Sequence, residues 1–261
     1  MKVLVPVKEV ATVEDEFEID GTTIDERYLG ADLNEWDDYA IEEAVQLEED
    51  GVVDEVVTVT IGNEETEQTI RQALAKGADR AIRVWDDALE DVDLLDVGAK
   101  VAILEAVVEA EDPDLVLTGV QSGDDSFGAT GVALAEAVGY QWGAVVNQLD
   151  LEGETASVHR ELEGGIEELT EIDVPAVLTI QTGINEPRYA SLRGIRMAQR
   201  KELDHQTLAD LGVEADAVAG DLRLTAMYEP ESESDTTVFE GGADETAAQL
   251  ADLLREKGVA Q

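Results

Sequence analysis

The sequence lacks cysteine entirely and contains only two histidines, His159 and His205, among its 261 residues. Disulfide bonds, thiolate metal ligands and cysteine nucleophiles are therefore excluded. The two histidines lie in unrelated segments, and no carboxylate follows either one at the spacing of a metal site. The chain also has no Gly-x-x-x-x-Gly-Lys-Ser/Thr phosphate loop and no Gly-x-Ser-x-Gly nucleophile motif. No acid–base pair can be nominated from spacing alone.

Positive charge and long apolar runs are also scarce. Only 17 lysines and arginines stand against 62 acidic residues, so the formal net charge is −45. Such a surface repels nucleic acid and anionic membranes, and no apolar run reaches the roughly 18 residues of a membrane span. The acids are spread over nearly every segment, which is typical of a halophile with a KCl-rich cytoplasm; an ordinary acidic protein is the alternative. Because a strand-like run begins at the first residues, we expect no secretory leader and a cytoplasmic location.

Residues 1–140 alternate apolar strand patterns with helical periodicity. Strands are predicted at 2–7, 55–61, 80–85 and 114–118, a small hairpin at 17–24, and helices at 34–49, 64–75, 92–109 and 127–138. Short apolar strands separated by helices indicate an α/β fold with a doubly wound, mostly parallel sheet, of the Rossmann-like type that binds adenine nucleotides. Such sheets bind ligands beyond the carboxyl ends of the strands, where the strand order reverses.

The second part of the chain has a different pattern. Alternating segments at 145–150, 155–161 and 166–171 predict antiparallel strands, and an apolar strand is predicted at 174–181. We therefore expect one domain over residues 1–200, which includes a β addition at 145–180 and a loop at 183–197. Residues 201–261 are expected to form a C-terminal arm that packs on a partner subunit, with an exposed linker at 229–235 and a helix at 243–257.

Glycines and hydroxyl side chains crowd the segment that follows the fourth predicted strand. It reads Gly119-Val-Gln-Ser-Gly-Asp-Asp-Ser-Phe-Gly-Ala-Thr-Gly131. Glycine permits positive φ and close backbone approach, and amides at a helix start converge on an anion, so a mononucleotide phosphate fits here. The alternative is an ordinary strand-to-helix loop of small residues. Asp124 and Asp125 do not suit an anion site and are expected to cap the helix or to face ribose hydroxyls or neighbouring amides.

The loop at 183–197, which we call the docking loop, contains the only arginine cluster of this anionic chain. Its core reads Asn185-Glu-Pro-Arg-Tyr-Ala-Ser-Leu192. The arginines either balance local charge, for example by pairing with Glu161, or belong to an exposed partner-binding segment with Tyr189 and Leu192 as apolar anchors. The residues alone favour neither interpretation.

Together these segments resemble the electron transfer flavoprotein β subunit. The resemblance is carried by the start of the chain, by residues 34–44, 119–131, 158–167 and 174–179, and most specifically by Asn-Glu-Pro-Arg-Tyr-Ala in the docking loop. It implies a heterodimer in which an α subunit holds most of a redox FAD and the β subunit binds AMP without a redox role. The chain would thus be an electron carrier subunit and not an enzyme. The implied partners are the α subunit, acyl-CoA dehydrogenases or related flavoenzymes as donors in fatty acid oxidation, and a membrane quinone oxidoreductase as acceptor, with no membrane insertion and no nucleic acid.

The resemblance also implies site residues, position by position. The nucleotide contacts would be Pro6, Asn34, Glu35, Trp36, Asp37, Ile61, Gly119, Val120, Gln121, Ser122, Gly123, Asp124, Asp125, Ser126, Phe127, Gly128, Ala129 and Thr130, with Trp36 beside the flavin. The docking residues would be Arg188, Tyr189, Leu192, Arg193 and Arg196, with Leu192 as the anchor and Glu161 steadying the loop through one of its arginines.

The sequence departs from the family pattern at two places. Val13 replaces a tyrosine that often lies near the flavin, and Gly128-Ala129 stand where an Asn-Gln pair is usual. The second departure leaves open a β subunit of an electron-bifurcating flavoprotein, with a second FAD in place of AMP. The α/β domain alone would also suit a stand-alone nucleotide-binding sensor of the stress-protein type.

Overall fold

The computed structural model describes residues 1–90, 92, 94–229 and 236–259. The strands are β1 (Lys2–Pro6), β2 (Glu9–Val13), β3 (Ile19–Asp20), β4 (Thr23–Ile24), β5 (Leu29–Leu33), β6 (Glu55–Ile61), β7 (Arg80–Val84), β8 (Leu115–Gly119), β9 (Gln141–Glu152), β10 (Thr155–Leu162), β11 (Ile166–Asp173), β12 (Ala176–Ile180) and β13 (Leu203–Gln206). The α-helices are α1 (Glu35–Glu49), α2 (Glu67–Lys76), α3 (Val97–Glu111), α4 (Thr130–Val138), α5 (Leu192–Ala198), α6 (Leu208–Leu211) and α7 (Ala243–Glu256). Short 3₁₀ helices cover Glu26–Tyr28, Glu64–Thr66, Asp87–Leu89 and Ala215–Val218.

Nine of these strands form one sheet in the order β11-β10-β9-β12-β8-β1-β6-β7-β13. Pairing is parallel from β9 through β12 to β13, while β10 pairs in antiparallel fashion with both β9 and β11. From β1 the chain proceeds to β6 and β7 on one side and then crosses to β8 on the other. The strand order therefore reverses between β1 and β8, and sheets of this type bind ligands at the carboxyl ends of the strands at such a point. The predicted α/β fold with a mostly parallel sheet and an antiparallel addition is confirmed.

Both faces of the parallel strands are covered, which explains their continuous apolar sequences. Successive side chains of a strand point to opposite faces. Accordingly, Val3 and Val5 of β1 join the cluster that contains Ile41 of α1, whereas Leu4 joins the cluster that contains Ile103 of α3.

Two predicted helices begin later than the periodicity indicated. Helix α3 begins at Val97, because Asp96 caps it by accepting a hydrogen bond from the Ala99 amide at 2.9 Å. Residue 93 of that predicted helix lies outside the described residues. Helix α4 begins at Thr130, because Ser126 and Gly128 adopt positive φ of 53° and 60°, which is incompatible with a continuing right-handed helix.

The chain after residue 200 contributes to the main sheet. Strand β13 pairs in parallel with β7, and the compact unit runs over Met1–Met227. The predicted domain boundary at residue 200 falls inside that unit. A second unit, Tyr228–Gln261, contains α7, and residues 230–235 of the predicted linker lie outside the described residues. Within the described residues, no helix is both long and apolar enough to cross a membrane.

Candidate nucleotide site and docking loop

Asp37 joins the two strand ends that flank the switch point. Its Oδ2 accepts a hydrogen bond from the Lys8 amide, just beyond β1, at 2.8 Å, and its Oδ1 accepts one from the Gly119 amide of β8 at 3.1 Å. Burial raises the pKa of Asp37 to about 7, although the same amides favour its charged form. The Asp37 side chain therefore links helix α1 to the ends of β1 and β8 by hydrogen bonds.

The close approach of α1 to β8 requires glycine at position 119. A Cβ added to Gly119 would lie 2.5 Å from Oδ1 of Asp37 and 2.6 Å from Cβ of Trp36. These separations are far below van der Waals contact, so no other residue fits without a shift of the backbone. The indole Nε1 of Trp36 donates to Oε1 of Gln181, just beyond β12, at 3.2 Å.

The side chain of Asn34 holds the loop after β8 and does not cap helix α1. Asn34 occupies the N-cap position of α1, but its side chain makes no capping hydrogen bond. Instead, Nδ2 donates to the carbonyl oxygen of Gln121 at 2.9 Å, and Oδ1 accepts from the Gly123 amide at 3.3 Å. The buried Asn34 side chain thus holds the loop that follows β8.

Two lysines hold the acids of that loop. Nζ of Lys8 contacts Ser122 Oγ at 3.1 Å and Asp125 Oδ2 at 2.8 Å, and it also bonds Asp124. Lys100 of α3 bonds the same Asp125 carboxylate. Burial opposes the charge of Asp125, but the hydrogen bonds from Lys100, Lys8 and Ser122 outweigh it and hold the pKa of Asp125 well below its usual range.

The two aspartates also accept hydrogen bonds from main-chain amides of their own loop. Oδ1 of Asp125 accepts from the Phe127 amide at 3.2 Å, and Oδ1 of Asp124 accepts from the Asp125 amide at 2.8 Å. Of the predicted alternatives, neighbouring amides are the contacts found in the structure, and lysines are added to them. Lys8 and Lys100 were not among the predicted site residues, although the rarity of lysine in this chain was a usable signal.

The start of α4 leaves main-chain donors available. Its N-cap residue, Ala129, provides no side-chain acceptor. Within the described part of the chain, the amides of Gly128, Ala129 and Thr130 have no hydrogen-bond acceptor. Consecutive free amides at a helix N-terminus attract an anion, and a phosphate group has suitable acceptor oxygens.

The predicted nucleotide residues gather at one edge of the sheet. Pro6 and Ile61 end the neighbouring strands β1 and β6, and Glu35 is exposed at the start of α1. We call the following residues the nucleotide cradle: Pro6, Lys8, Asn34, Trp36, Asp37, Ile61, Lys100 and the loop 119–130.

The base of the docking loop is bound to α1. Nδ2 of Asn185 donates to the Tyr39 carbonyl oxygen at 3.1 Å and to Glu43 Oε2 at 2.9 Å. The Arg188 guanidinium donates to Glu42 at 2.8 and 3.0 Å and to Glu49 at 2.6 and 2.9 Å. Arg188 is therefore held by Glu42 and Glu49 of its own chain, and its part in docking stays a prediction.

The tip of the docking loop is exposed. Tyr189 is 98% exposed and Leu192 is 78% exposed. Helix α5 packs so closely on α2 that a Cβ on Gly194 would lie 2.4 Å from the Ala75 carbonyl oxygen. Arg193 and Arg196 are exposed, and neither forms an ion pair with any described residue.

Glu161 and the histidines do not join either site. Glu161 is exposed on β10 and pairs with no basic side chain of the described residues, so the acids that hold the docking loop here are Glu42 and Glu49. His159 Nε2 lies 3.6 Å from Glu167 Oε2, and His205 Nδ1 accepts from Arg83 Nε at 2.9 Å. No cluster of three or more potential metal ligands occurs in the described ranges.

Comparison with known proteins identifies the family. The electron transfer flavoprotein domain profile matches residues 21–211, a range that contains the loop 119–130 and the docking loop. The chain is 45% identical to electron transfer flavoprotein subunit beta of Methylophilus methylotrophus, over 98% of both chains. It is 38% identical to the Bradyrhizobium diazoefficiens subunit, over 86% of this chain and 89% of that protein, and 36% identical to the Sus scrofa subunit, over 87% and 85%. The chain therefore belongs to the electron transfer flavoprotein β-subunit family.

Proposed function

We propose that this chain pairs with an electron transfer flavoprotein α subunit, binds AMP in the nucleotide cradle, and helps to position the FAD that carries electrons. Family membership supports the electron-carrier role. The nucleotide assignment rests on the three free amides at the start of α4, which lie at the strand-order switch point.

The charges of the nucleotide cradle suit a phosphate monoester. Asp124 and Asp125 would repel an anion if they were unpaired, but Lys8 and Lys100 already neutralise them. The phosphate would be held by the amides of residues 128–130 and stabilised by the helix N-terminus. Pro6, Asn34 and Ile61 would surround the adenosine.

The AMP would have a structural role and would supply no redox chemistry. The FAD, when bound, supplies the electron-carrying isoalloxazine, and Trp36 would lie beside it. The role of this chain is then to orient the flavin and exclude water from it.

The partner surface would be the exposed tip of the docking loop. An apolar anchor such as Leu192, surrounded by exposed polar residues, suits the small and transient interfaces of electron-transfer partners. We propose acyl-CoA dehydrogenases or related flavoenzymes as donors and a membrane quinone oxidoreductase as acceptor. The net charge of −45 supports a cytoplasm rich in KCl as the working environment.

The test is the nucleotide content of the purified complex. The chain would be co-expressed with the α subunit of the same organism and purified in molar KCl, and its nucleotides would be extracted with acid and quantified by chromatography. The proposal expects equal amounts of FAD and AMP. Two FAD without AMP would replace it with the bifurcating alternative, and FAD alone would remove the AMP assignment. A nucleotide-loaded homodimer that ignores the α subunit would overturn the heterodimer.

A further inference from the structure

Helix α1 contains two adjacent buried acids, Glu42 and Glu43, which are 5% and 7% exposed. Burying two carboxylates side by side is unfavourable in any protein, and more so in a chain with a net charge of −45, unless each has a partner. Both partners come from the docking loop. Asn185 donates to Glu43, and Arg188 donates to Glu42. The two buried acids of α1 therefore find their hydrogen-bond partners in the base of the docking loop.

Glu42 contacts both the main chain and the side chain of Arg188. Its Oε2 accepts from the Arg188 amide at 3.1 Å and from Nε at 2.8 Å, and its Oε1 accepts from Nη2 at 3.0 Å. Gln46, one turn further along α1, also donates to Oε1 at 2.7 Å. A single carboxylate therefore determines both the path of the backbone and the orientation of the guanidinium.

Glu49 offers a natural comparison within the same cluster. It contacts the other side of the Arg188 guanidinium, but its side chain is 58% exposed and it makes no main-chain contact with the loop. Burial opposes the charge of Glu42, yet the hydrogen bonds from Arg188 and Gln46 keep the pKa of Glu42 below its usual range. Glu42 is thus the charged, buried member of the pair and Glu49 the solvated one.

Residue 188 immediately precedes the exposed tip of the loop. The side chains of Tyr189 and Leu192 are 98% and 78% exposed, so their own contacts do little to fix their orientation. The backbone that carries them is held before residue 189 by Asn185 and Arg188, and after residue 191 by the packing of α5 on α2. A disordered tip would have to be ordered during binding, which lowers affinity.

We propose that Glu42 is a positioning residue for partner recognition, which acts through Arg188 to hold Tyr189 and Leu192 in their binding orientation. Because it is buried, Glu42 does not touch the partner itself. This inference rests on the proposed function, since it concerns the loop proposed to dock the electron donor.

The test compares Glu42→Gln with the matched control Glu49→Gln in the heterodimer. Two quantities are measured: hydrogen exchange at the Arg188 amide, and the KM and kcat for reduction of the heterodimer by an acyl-CoA dehydrogenase of the same organism. Hydrogen bonds to charged groups are strong enough that Glu42→Gln is expected to raise both the exchange rate and the KM at least about tenfold. The kcat and the FAD and AMP contents should stay unchanged. Glu49→Gln should change either quantity by less than about threefold, because its carboxylate is solvated.

A double variant separates positioning through Arg188 from a general loss of stability. If Glu42 acts through Arg188, then Glu42→Gln combined with Arg188→Gln has a KM no higher than Arg188→Gln alone. If the KM increases of the two single variants instead multiply in the double variant, the two residues act independently and the inference is wrong. If Glu42→Gln does not assemble, Arg188→Lys, which keeps the charge but removes the forked contact, is expected to raise the KM with kcat unchanged.

The outcomes distinguish this inference from the proposed function. If Glu42→Gln keeps the wild-type exchange rate and KM while Leu192→Ala impairs reduction, the inference about Glu42 is wrong and the proposed function stands. A wild-type heterodimer that the dehydrogenase does not reduce would contradict the proposed donor, whereas the exchange at Arg188 would still test the contact with Glu42.

Discussion

Gly119→Ala tests whether the close contact between β8 and α1 maintains the nucleotide cradle. The added methyl carbon would lie 2.5 Å from Asp37 Oδ1, 2.6 Å from Trp36 Cβ and 3.0 Å from the Asp37 main-chain nitrogen. Two of these atoms belong to rigid parts of α1, so side-chain rotation does not relieve the overlap. The helix and the strand end would have to separate by roughly 1 Å to restore normal contact.

The expected loss of stability follows from two contributions. Overpacking in a close-packed region costs about 1–3 kcal/mol. Separation also weakens the hydrogen bond from the Gly119 amide to Asp37, which is 3.1 Å long and contributes about 1 kcal/mol. We therefore expect Gly119→Ala to lower the free energy of unfolding by about 2–4 kcal/mol. Because residue 119 begins the loop proposed to bind the phosphate, AMP retention should fall as well.

The assay is denaturant unfolding of the heterodimer at fixed protein and KCl concentration, together with the AMP content after gel filtration. Gly123→Ala is the matched control, because it lies in the same loop and a Cβ there meets nothing within 4 Å. It should stay within about 0.5 kcal/mol of the wild type. Equal unfolding midpoints and equal AMP contents for the two variants would refute the role of the close contact.

Three further predictions concern charge and docking. The pKa of Asp37 is raised from 3.8 to about 7 in the folded state, so folding takes up a proton and stability is lost as pH rises from about 4 to 7. Asp37→Asn lacks this dependence, and the stability of the wild type relative to the variant should fall by about 1.4 kcal/mol per pH unit across that window in denaturant titrations; a constant difference would contradict the assignment. Leu192→Ala should slow electron acceptance about tenfold with unchanged flavin content, whereas Leu169→Ala, on a residue 79% exposed on β11, should not; equal rates for the two variants would remove Leu192 from docking. The melting temperature should fall on dilution from molar KCl, because the screening length grows from about 3 Å at 1 M to about 10 Å at 0.1 M; a salt-independent value would contradict the halophilic interpretation.

Secondary structure and fold class were accessible from the sequence because they depend on neighbouring residues. The strand predicted at 55–61 is found at Glu55–Ile61, and the helix predicted at 34–49 is found at Glu35–Glu49. Alternating apolar strands and amphipathic helices leave few arrangements other than a covered parallel sheet. The predicted starts of α3 and α4 are wrong, because Asp96 and the positive φ of Ser126 override the periodicity. The strands β2, β5 and β13 were not predicted.

The candidate site was predictable in position and not in its contacts. A glycine-rich segment after a parallel strand places residues 119–130 at the ligand edge, and the Asn-Glu-Pro-Arg-Tyr-Ala run indicates the family. The partners of individual side chains do not follow from either pattern. Asn34 looks like a helix cap by position, but its partner is Gln121, which lies 87 residues away.

By itself, the sequence determined the alternation of strands and helices in residues 1–140, the anionic net charge, and the places of the two candidate functional segments. The tertiary structure decided which charges neutralise each other: Lys8 with Asp125, 117 residues apart, and Arg188 with Glu42, 146 residues apart. The reason is physical. Periodicity records whether a residue is buried, whereas the partner of a buried charge depends on which distant elements the sheet topology brings together.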